Sequence, residues 1–270
     1  MRLKATLCLL LSLTLLACAT SEKEDDDKAQ WSAEQFYTEA KKKLDDGNYE
    51  AAIKEYQQLE SRYPFGKYAP QAQLDVAYAY FKYDEPESSL AAINRFIKLH
   101  PRNPHVDYAY YLRGLVNYNR DIGLIDRFLP TDPSQRDPGS SKESYRNFRE
   151  LIEKFPRSQY GSDAQQRMIE LRNNAAMHEV HVARYYMKRK AYLAAANRCN
   201  RVIEQYQRTP AVPLALEIMK EAYQKLELSE LEYTASTVYK KNYIEGDGLP
   251  PPQSRSIGRR VWDWVGLDEN

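Results

Sequence analysis

The sequence of 270 residues has few of the features that build catalytic sites or β-sheets. It contains only 10 glycines, and neither a Gly-rich phosphate loop nor a nucleophile elbow is among its motifs. Carboxylates are numerous but lie three or four residues from lysine or arginine, as on the solvated face of a helix. No stretch carries the signals of a strand. We therefore predict an all-α protein that is not an enzyme and needs no cofactor.

The sequence also has few cysteines and a small net charge. Of the 3 cysteines, Cys8 and Cys18 belong to an N-terminal apolar run, so Cys199 alone remains as a thiol and no internal disulfide is expected. The formal net charge is +1, and removal of residues 1–17 would leave one negative charge in excess. A chain with this balance has no general attraction for nucleic acid.

The sequence has no long apolar run. Its one apolar run, at the N-terminus, is short. Arg2 and Lys4 precede it, which is the layout of a secretory signal peptide. At about 1.5 Å per residue, the run is too short to cross a hydrocarbon core of roughly 30 Å. It ends in Leu15-Leu16-Ala17-Cys18, which resembles a bacterial lipobox. An ordinary cleaved signal peptide is the alternative.

The lipobox resemblance implies that residues 1–17 are the signal and that Cys18 becomes the first mature residue. Cys18 would then carry S-diacylglycerol and N-palmitoyl groups, whose acyl chains bind a membrane at about 0.8 kcal/mol per buried methylene. Residues 18–30 are acidic and polar, so we predict a flexible tether. Ala19 is not the aspartate that retains such lipoproteins in the inner membrane. The resemblance therefore implies the periplasmic face of the outer membrane.

Residues 31–243 carry an internal repeat whose four clearest copies align without gaps. In each copy a small residue is followed at intervals of four, three and four by two core-type residues and a ring. These intervals place all four side chains on one face of a helix, so we expect that face to be buried. The sets are Ala52, Tyr56, Leu59 and Tyr63; Ser89, Ile93, Phe96 and His100; Ser144, Phe148, Leu151 and Phe155; and Ala195, Cys199, Val202 and Tyr206.

A second helical pattern accompanies each copy. The alternation resembles the tetratricopeptide repeat, whose small residue, core ring and closing proline are here Ala52, Tyr56 and Pro64. We therefore predict an α-solenoid of five tetratricopeptide-like helix-turn-helix repeats. The additional predicted helices are 36–44, 71–82, 105–120, 162–190, 214–226 and 229–243.

The repeats are unevenly spaced because of an insertion and a long helix. Residues from about 121 to 140 are rich in Pro, Asp and Ser, so we predict an inserted loop. Residues from about 162 to 190 contain no helix breaker and predict a helix extended by about four turns, joining two halves of the solenoid rigidly. Residues 244–270 predict a flexible tail, in which Trp262 and Trp264 need a surface to cover them. We expect roughly two-thirds of the tyrosines in the core.

His178 and His181 lie three residues apart and share one side of a predicted helix. Zinc normally takes four ligands, and no cysteine or aspartate cluster accompanies the pair. The order of the HExxH zinc motif is not met either. We therefore predict surface or interhelical histidines and no metal site.

The turn Tyr63-Pro64-Phe65-Gly66-Lys67-Tyr68 differs from the other turns between repeats, because it combines rings with a cation. Tyr63 and Tyr68 recur in other repeats, so packing within the turn explains them equally well. Phe65 and Lys67 have no such counterparts. We predict that these four side chains contact an extended peptide, through apolar burial and through bonds from the lysine to carbonyl or carboxylate oxygens.

Arg198 and Arg201 lie on either side of Cys199, which the repeat alignment places in the core. Both arginines can therefore reach outward, next to Asn197. A plain surface position is the alternative. An arginine pair is, however, a preferred donor to a carboxylate at a protein interface.

Three further segments complete a resemblance to a known family. RYPFGKY (62–68), LHPRNPHVDYAYYLRGL (99–115) and SQRDP (134–138), with the lipobox and the repeats, make residues 15–243 similar to the BamD family, also called ComL. Its members are outer-membrane lipoproteins of the β-barrel assembly machinery.

The resemblance implies a non-enzymatic function in outer-membrane protein assembly. The family binds the POTRA domains of BamA and the lipoprotein BamC, with BamE as a further candidate partner. It also receives unfolded outer-membrane proteins through their C-terminal β-signal. Arg198 matches the arginine that pairs with a BamA carboxylate, and the N-terminal half, with Phe65 and Lys67, is implied in β-signal contacts. A periplasmic scaffold for cell-wall enzymes and an unrecognised helical hydrolase are the alternatives.

Overall fold

The computed structural model describes Lys28 and residues 30–120, 132–135 and 138–245. These residues form ten α-helices and no β-strand, which confirms the all-α prediction. The helices are α1 (Ala33–Asp45), α2 (Tyr49–Arg62), α3 (Ala69–Lys82), α4 (Pro86–Leu99), α5 (Val106–Asn119), α6 (Pro138–Lys154), α7 (Gly161–Lys188), α8 (Tyr192–Gln205), α9 (Ala211–Lys225) and α10 (Ser229–Tyr239).

The helices pack in consecutive pairs, and each of the five predicted repeats is one such pair: α1/α2, α3/α4, α5/α6, α7/α8 and α9/α10. The pairs form because short turns connect amphipathic helices that cannot bury their apolar faces alone. Local signals set the helix ends. At the start of α1, the Ser32 hydroxyl accepts from the Gln35 amide (3.3 Å) while the Gln35 side chain accepts from the Ser32 amide (2.8 Å), a reciprocal N-terminal cap.

The repeated core positions are buried as their spacing predicts. Tyr56, Ile93, Phe148 and Cys199 are among the least exposed side chains in the protein. The small residues of the four copies and the following core residues are also buried, namely Ala52, Ser89, Ser144, Ala195, Leu59, Phe96, Leu151 and Val202. The two serines satisfy their hydroxyls by donating to the carbonyls of Ala77 (2.8 Å) and Gly114 (3.0 Å).

Few tyrosines are fully buried, although many of them pack against the core. All tyrosines lie in the described residues, but only Tyr56 and Tyr110 are buried, and most of the others are half-buried. A phenol ring packs well between helices, whereas its hydroxyl needs a polar partner or water, so the side chain settles at the edge of the core.

The insertion is shorter than predicted. A 3-10 turn, Pro133–Gln135, lies within it, and α6 already begins at Pro138, which suits the first position of a helix. The remaining insertion residues, 121–131, 136 and 137, lie outside the described residues.

The long helix is present as α7, with 28 residues. The chain divides into two compact units at 101/102, and all of α7 lies in the second unit with α6, α8 and α9. At the C-terminal end, α10 stops at Tyr239 and a π-helical segment, Lys240–Ile244, follows.

Lys28 lies inside the predicted tether, yet it is buried against α2. Its ammonium forms an ion pair with the buried Glu55 carboxylate, which Lys43 also reaches at 3.1 Å. The Arg62 guanidinium donates to the Lys28 carbonyl at 2.6 Å. Residues 1–27 and 29, including the signal and Cys18, lie outside the described residues, as do 246–270 with Trp262 and Trp264.

Candidate protein-binding sites

Four side chains of the turn between α2 and α3 are predicted to contact a peptide. Two of them, Tyr63 and Tyr68, pack inward, whereas the other two are exposed to solvent. The Tyr63 hydroxyl donates to the Trp31 carbonyl at 2.7 Å, and its ring lies 6.5 Å from that of Phe36. Tyr68 stacks on Tyr37, with ring centroids 5.1 Å apart and planes inclined by 19°. Both tyrosines therefore anchor the turn to α1.

Phe65 and Lys67 are exposed in the same turn. Phe65 is 99% exposed, which is unusual for a ring of its size and leaves its whole apolar surface in water. The Lys67 ammonium lies 4.7 Å from the Tyr68 ring centroid. A hydrogen bond to the Tyr68 hydroxyl raises the pKa of Lys67 above its ordinary value, so the side chain is a cation at neutral pH. The turn thus exposes both an apolar ring and a cation.

A polar network that the sequence reasoning missed lies beneath this turn. The Asp75 carboxylate accepts from the hydroxyls of Tyr37 (3.0 Å) and Tyr56 (3.2 Å) and from the Gln71 amide (2.8 Å). Burial raises the pKa of Asp75, although these donors oppose the shift. The network ties α1, α2 and α3 together below Tyr68. The sequence did contain a sign of this network, because Asp75 is the only charged residue between Lys67 and Lys82.

In the second unit, Arg198 and Arg201 converge on one carboxylate of their own chain. Arg198 donates to one Glu179 oxygen at 3.0 Å and Arg201 to the other at 3.2 Å. The Glu179 side chain is only 12% exposed, whereas those of the arginines are 32% and 46% exposed. Asn197 is exposed beside them. Two guanidinium groups and one carboxylate leave one uncompensated positive charge at the surface.

Cys199, between the arginines, is fully buried, as the repeat alignment predicted. Burial raises the pKa of its thiol to about 12, so it is a packing residue rather than a nucleophile. The sequence did not identify Glu179 as the acceptor, because this contact depends on how α7 packs against α8. The only nearby motif is the histidine pair on either side of Glu179.

The two histidines contact the 3-10 turn of the insertion. His178 Nδ1 lies 3.0 Å from the Ser134 carbonyl oxygen. His181 Nε2 lies 3.0 Å from the Ser134 hydroxyl and 3.3 Å from the Asp132 carboxylate. Among the residues that the structure describes, no group of three or more His, Cys, Asp or Glu could hold a metal ion. The histidines hold the turn against α7.

Helices packed in consecutive pairs place the chain in the class of helical-repeat proteins. The chain belongs to the YfiO family of outer membrane lipoproteins, whose model matches residues 29–238. Within the described residues, no helix has both the length and the apolar character needed to cross a membrane.

Its relatives are named outer membrane protein assembly factor BamD. The chain is 44% identical over 252 residues to the protein of Neisseria meningitidis serogroup B, covering 92% of this chain and 94% of the relative. It is 38% identical to that of Vibrio cholerae, covering 83% and 92%. Among solved structures, the MamA protein aligns at 13% identity with a TM-score of 0.34, covering 82% of this chain and 98% of MamA.

Proposed function

We propose that the chain is a non-enzymatic lipoprotein subunit of the β-barrel assembly (Bam) complex. Acylated Cys18 holds it on the periplasmic face of the outer membrane. The names of its relatives support a function in outer membrane protein assembly. Further support comes from the fold, since paired helices offer extended surfaces for other chains.

The observation that carries the proposal is the arginine pair on Glu179. Arg198 donates to Glu179 and also bonds Tyr186, and Arg201 donates to Glu179, so each guanidinium group keeps further N–H donors for another acceptor. The single positive charge in excess fits one carboxylate of a partner. We assign this site, with Asn197 beside it, to a POTRA domain of BamA. BamC and BamE are further partners of the protein within the complex.

The turn between α2 and α3 is the proposed site for substrates. An unfolded outer-membrane protein presents an extended, aromatic C-terminal segment, for which the exposed Phe65 ring offers apolar contact and Lys67 a charge. Tyr63 and Tyr68 support the turn from behind and line the base of the contact.

A photo-crosslinking amino acid placed in living cells tests both assignments. At position 197 it should capture BamA, and at position 65 it should capture unfolded outer-membrane proteins. Position 220, an exposed lysine on α9, is the matched control and should capture neither. Recovery of cell-wall enzymes at position 197, with no BamA, would replace the proposal by a periplasmic scaffold for those enzymes.

A further inference from the structure

A groove of about 610 Å³ opens in the second unit, and its lining includes no residue of the arginine pair on Glu179 or of the α2–α3 turn. One wall is a stripe of α6 that includes Lys142, Tyr145 and Arg146. The facing wall is a stripe of α7 that includes Leu171 and Arg172, and the end of α8 and the 3-10 turn close the sides. The volume lies within the range of sites that bind small ligands or a few residues of a peptide.

The groove is positively charged. Lys142, Arg146 and Arg172 line it together with His178, and no aspartate or glutamate is among those lining residues that the structure describes. Lys142 has no ion-pair partner among the described residues. Arg172 donates to the Gln205 carbonyl at 3.3 Å and forms no ion pair within the part of the chain that the structure describes. Arg146 pairs with Glu143 outside the groove.

The shape of the groove favours an extended chain over a compact anion. Its α6 wall runs from Pro138 to Arg146, which at 1.5 Å per residue gives a length of about 12 Å. An extended peptide rises about 3.3 Å per residue, so about four residues fit along the groove. Lys142 and Arg146 are one helical turn apart on α6, and Arg172 stands on the other wall. The cations therefore follow the length of the groove rather than surround one point.

The walls between the cations are largely apolar. Tyr145, Leu171 and Tyr206 supply two rings and an aliphatic side chain, which suits an aromatic side chain between them. We propose that the groove binds a short extended segment of a partner protein, in which an aromatic residue is flanked by carboxylates. This inference is independent of the arginine pair and of the α2–α3 turn, which share no residue with the groove.

Binding of short probe peptides to the full-length protein in detergent tests the proposal. The probes are fluorescently labelled, capped Gly-Asp-Trp-Asp-Gly and its counterparts with asparagine or lysine in place of aspartate. The variant Lys142→Gln/Arg146→Gln removes two cations of the groove. Its matched control, Arg149→Gln/Arg157→Gln, removes two exposed cations outside the lining. Glycerol phosphate serves as a competitor that represents a lipid headgroup.

We expect the aspartate peptide to bind in preference to the other two. The groove variant should bind it about tenfold more weakly, because charge-assisted hydrogen bonds are lost, and the control should bind it as the wild type does. Equal binding by both variants, or no preference for the aspartate peptide, would overturn the proposal. Direct binding of glycerol phosphate, with no binding of any of the peptides, would overturn it in favour of a phosphate site.

Discussion

At the residue scale, Asp75 is the clearest example of a carboxyl group in an unusual setting. Two tyrosine hydroxyls and one amide donate to it, and no cation forms an ion pair with it among the described residues. Burial raises its pKa above the ordinary 3.8. The folded state therefore holds the Asp75 proton more tightly than the unfolded state does. Its contribution to stability is largest below pH 3.8 and falls as the pH rises through the folded pKa.

We predict that Asp75→Asn removes this loss of folding stability at rising pH. An asparagine keeps an oxygen for the tyrosine hydroxyls and carries no charge to desolvate. The free energy of unfolding, measured in urea between pH 4 and pH 7, should fall with pH less steeply in the variant than in the wild type. Glu50→Gln, at an exposed carboxyl on α2, is the control. Parallel curves for Asp75→Asn and the wild type would refute the assignment.

Gly114 is the second residue on which the packing depends. A Cβ at this position would lie 2.3 Å from the ring of Phe148, which is fully buried. Gly114→Ala should therefore destabilise the protein by about 1–3 kcal/mol. Gly161→Ala is the matched control, because nothing lies within 4 Å of its added methyl group, and alanine favours a helix by up to about 1 kcal/mol. Denaturant unfolding of both variants measures the contrast, and equal stabilities would contradict it.

The spacing of the repeated residues predicted which side chains face the core, but it did not predict the hydrogen-bond partners of the arginines. The repeat alignment correctly placed Cys199 in the core, with Arg198 and Arg201 directed outward, because a helical period fixes which face a residue occupies. It did not predict Glu179 as their acceptor. That contact depends on the packing of α7 against α8, which no periodicity within one helix encodes.

At the scale of elements, the histidine pair links α7 to the inserted turn. His178 and His181 contact Ser134 and Asp132, while the Ser134 amide donates to the Asp132 side chain at 3.0 Å. Each lost side-chain hydrogen bond is worth about 1 kcal/mol. We predict that His178→Ala/His181→Ala speeds hydrogen exchange of the amides in 132–135 by about tenfold or more.

His105→Ala is the control for this exchange measurement, since His105 is exposed at the start of α5. It should leave the amides of 132–135 unchanged. Unchanged exchange in the double variant as well would show that the histidines do not hold the turn.

The ends of the helices and the division into units are the features that sequence patterns predict least well. The helices of the five repeats were predicted because their apolar period and breakers are local features. The start of α6 at Pro138 was missed, since proline and serine favour both a loop and a first helical turn. The division at 101/102 was also missed, because the density of contacts between helices is a property of the packed chain.

At the scale of the whole molecule, the proposal depends on how the protein is anchored. If lipid on Cys18 is the anchor, then Cys18→Ser in the full-length chain should move most of the protein from the membrane fraction to the soluble periplasmic fraction. The variant Trp262→Ala/Trp264→Ala should stay with the membrane. The reverse result, with the tryptophan variant released and the cysteine variant retained, would assign anchoring to the tail.

The central claim is that the arginine pair receives a carboxylate of BamA. Its most direct test is equilibrium binding of the full-length protein to the POTRA domain nearest the barrel, comparing wild type, Arg198→Ala and the exposed control Arg157→Ala. In the wild type, Arg201 also bonds Glu179, at 3.2 Å, so the Arg198 variant should keep one partner for this carboxylate and retain its fold. We predict that Arg198→Ala weakens binding by about 2–5 kcal/mol and that the control binds normally. Equal binding by all three proteins would contradict the claim.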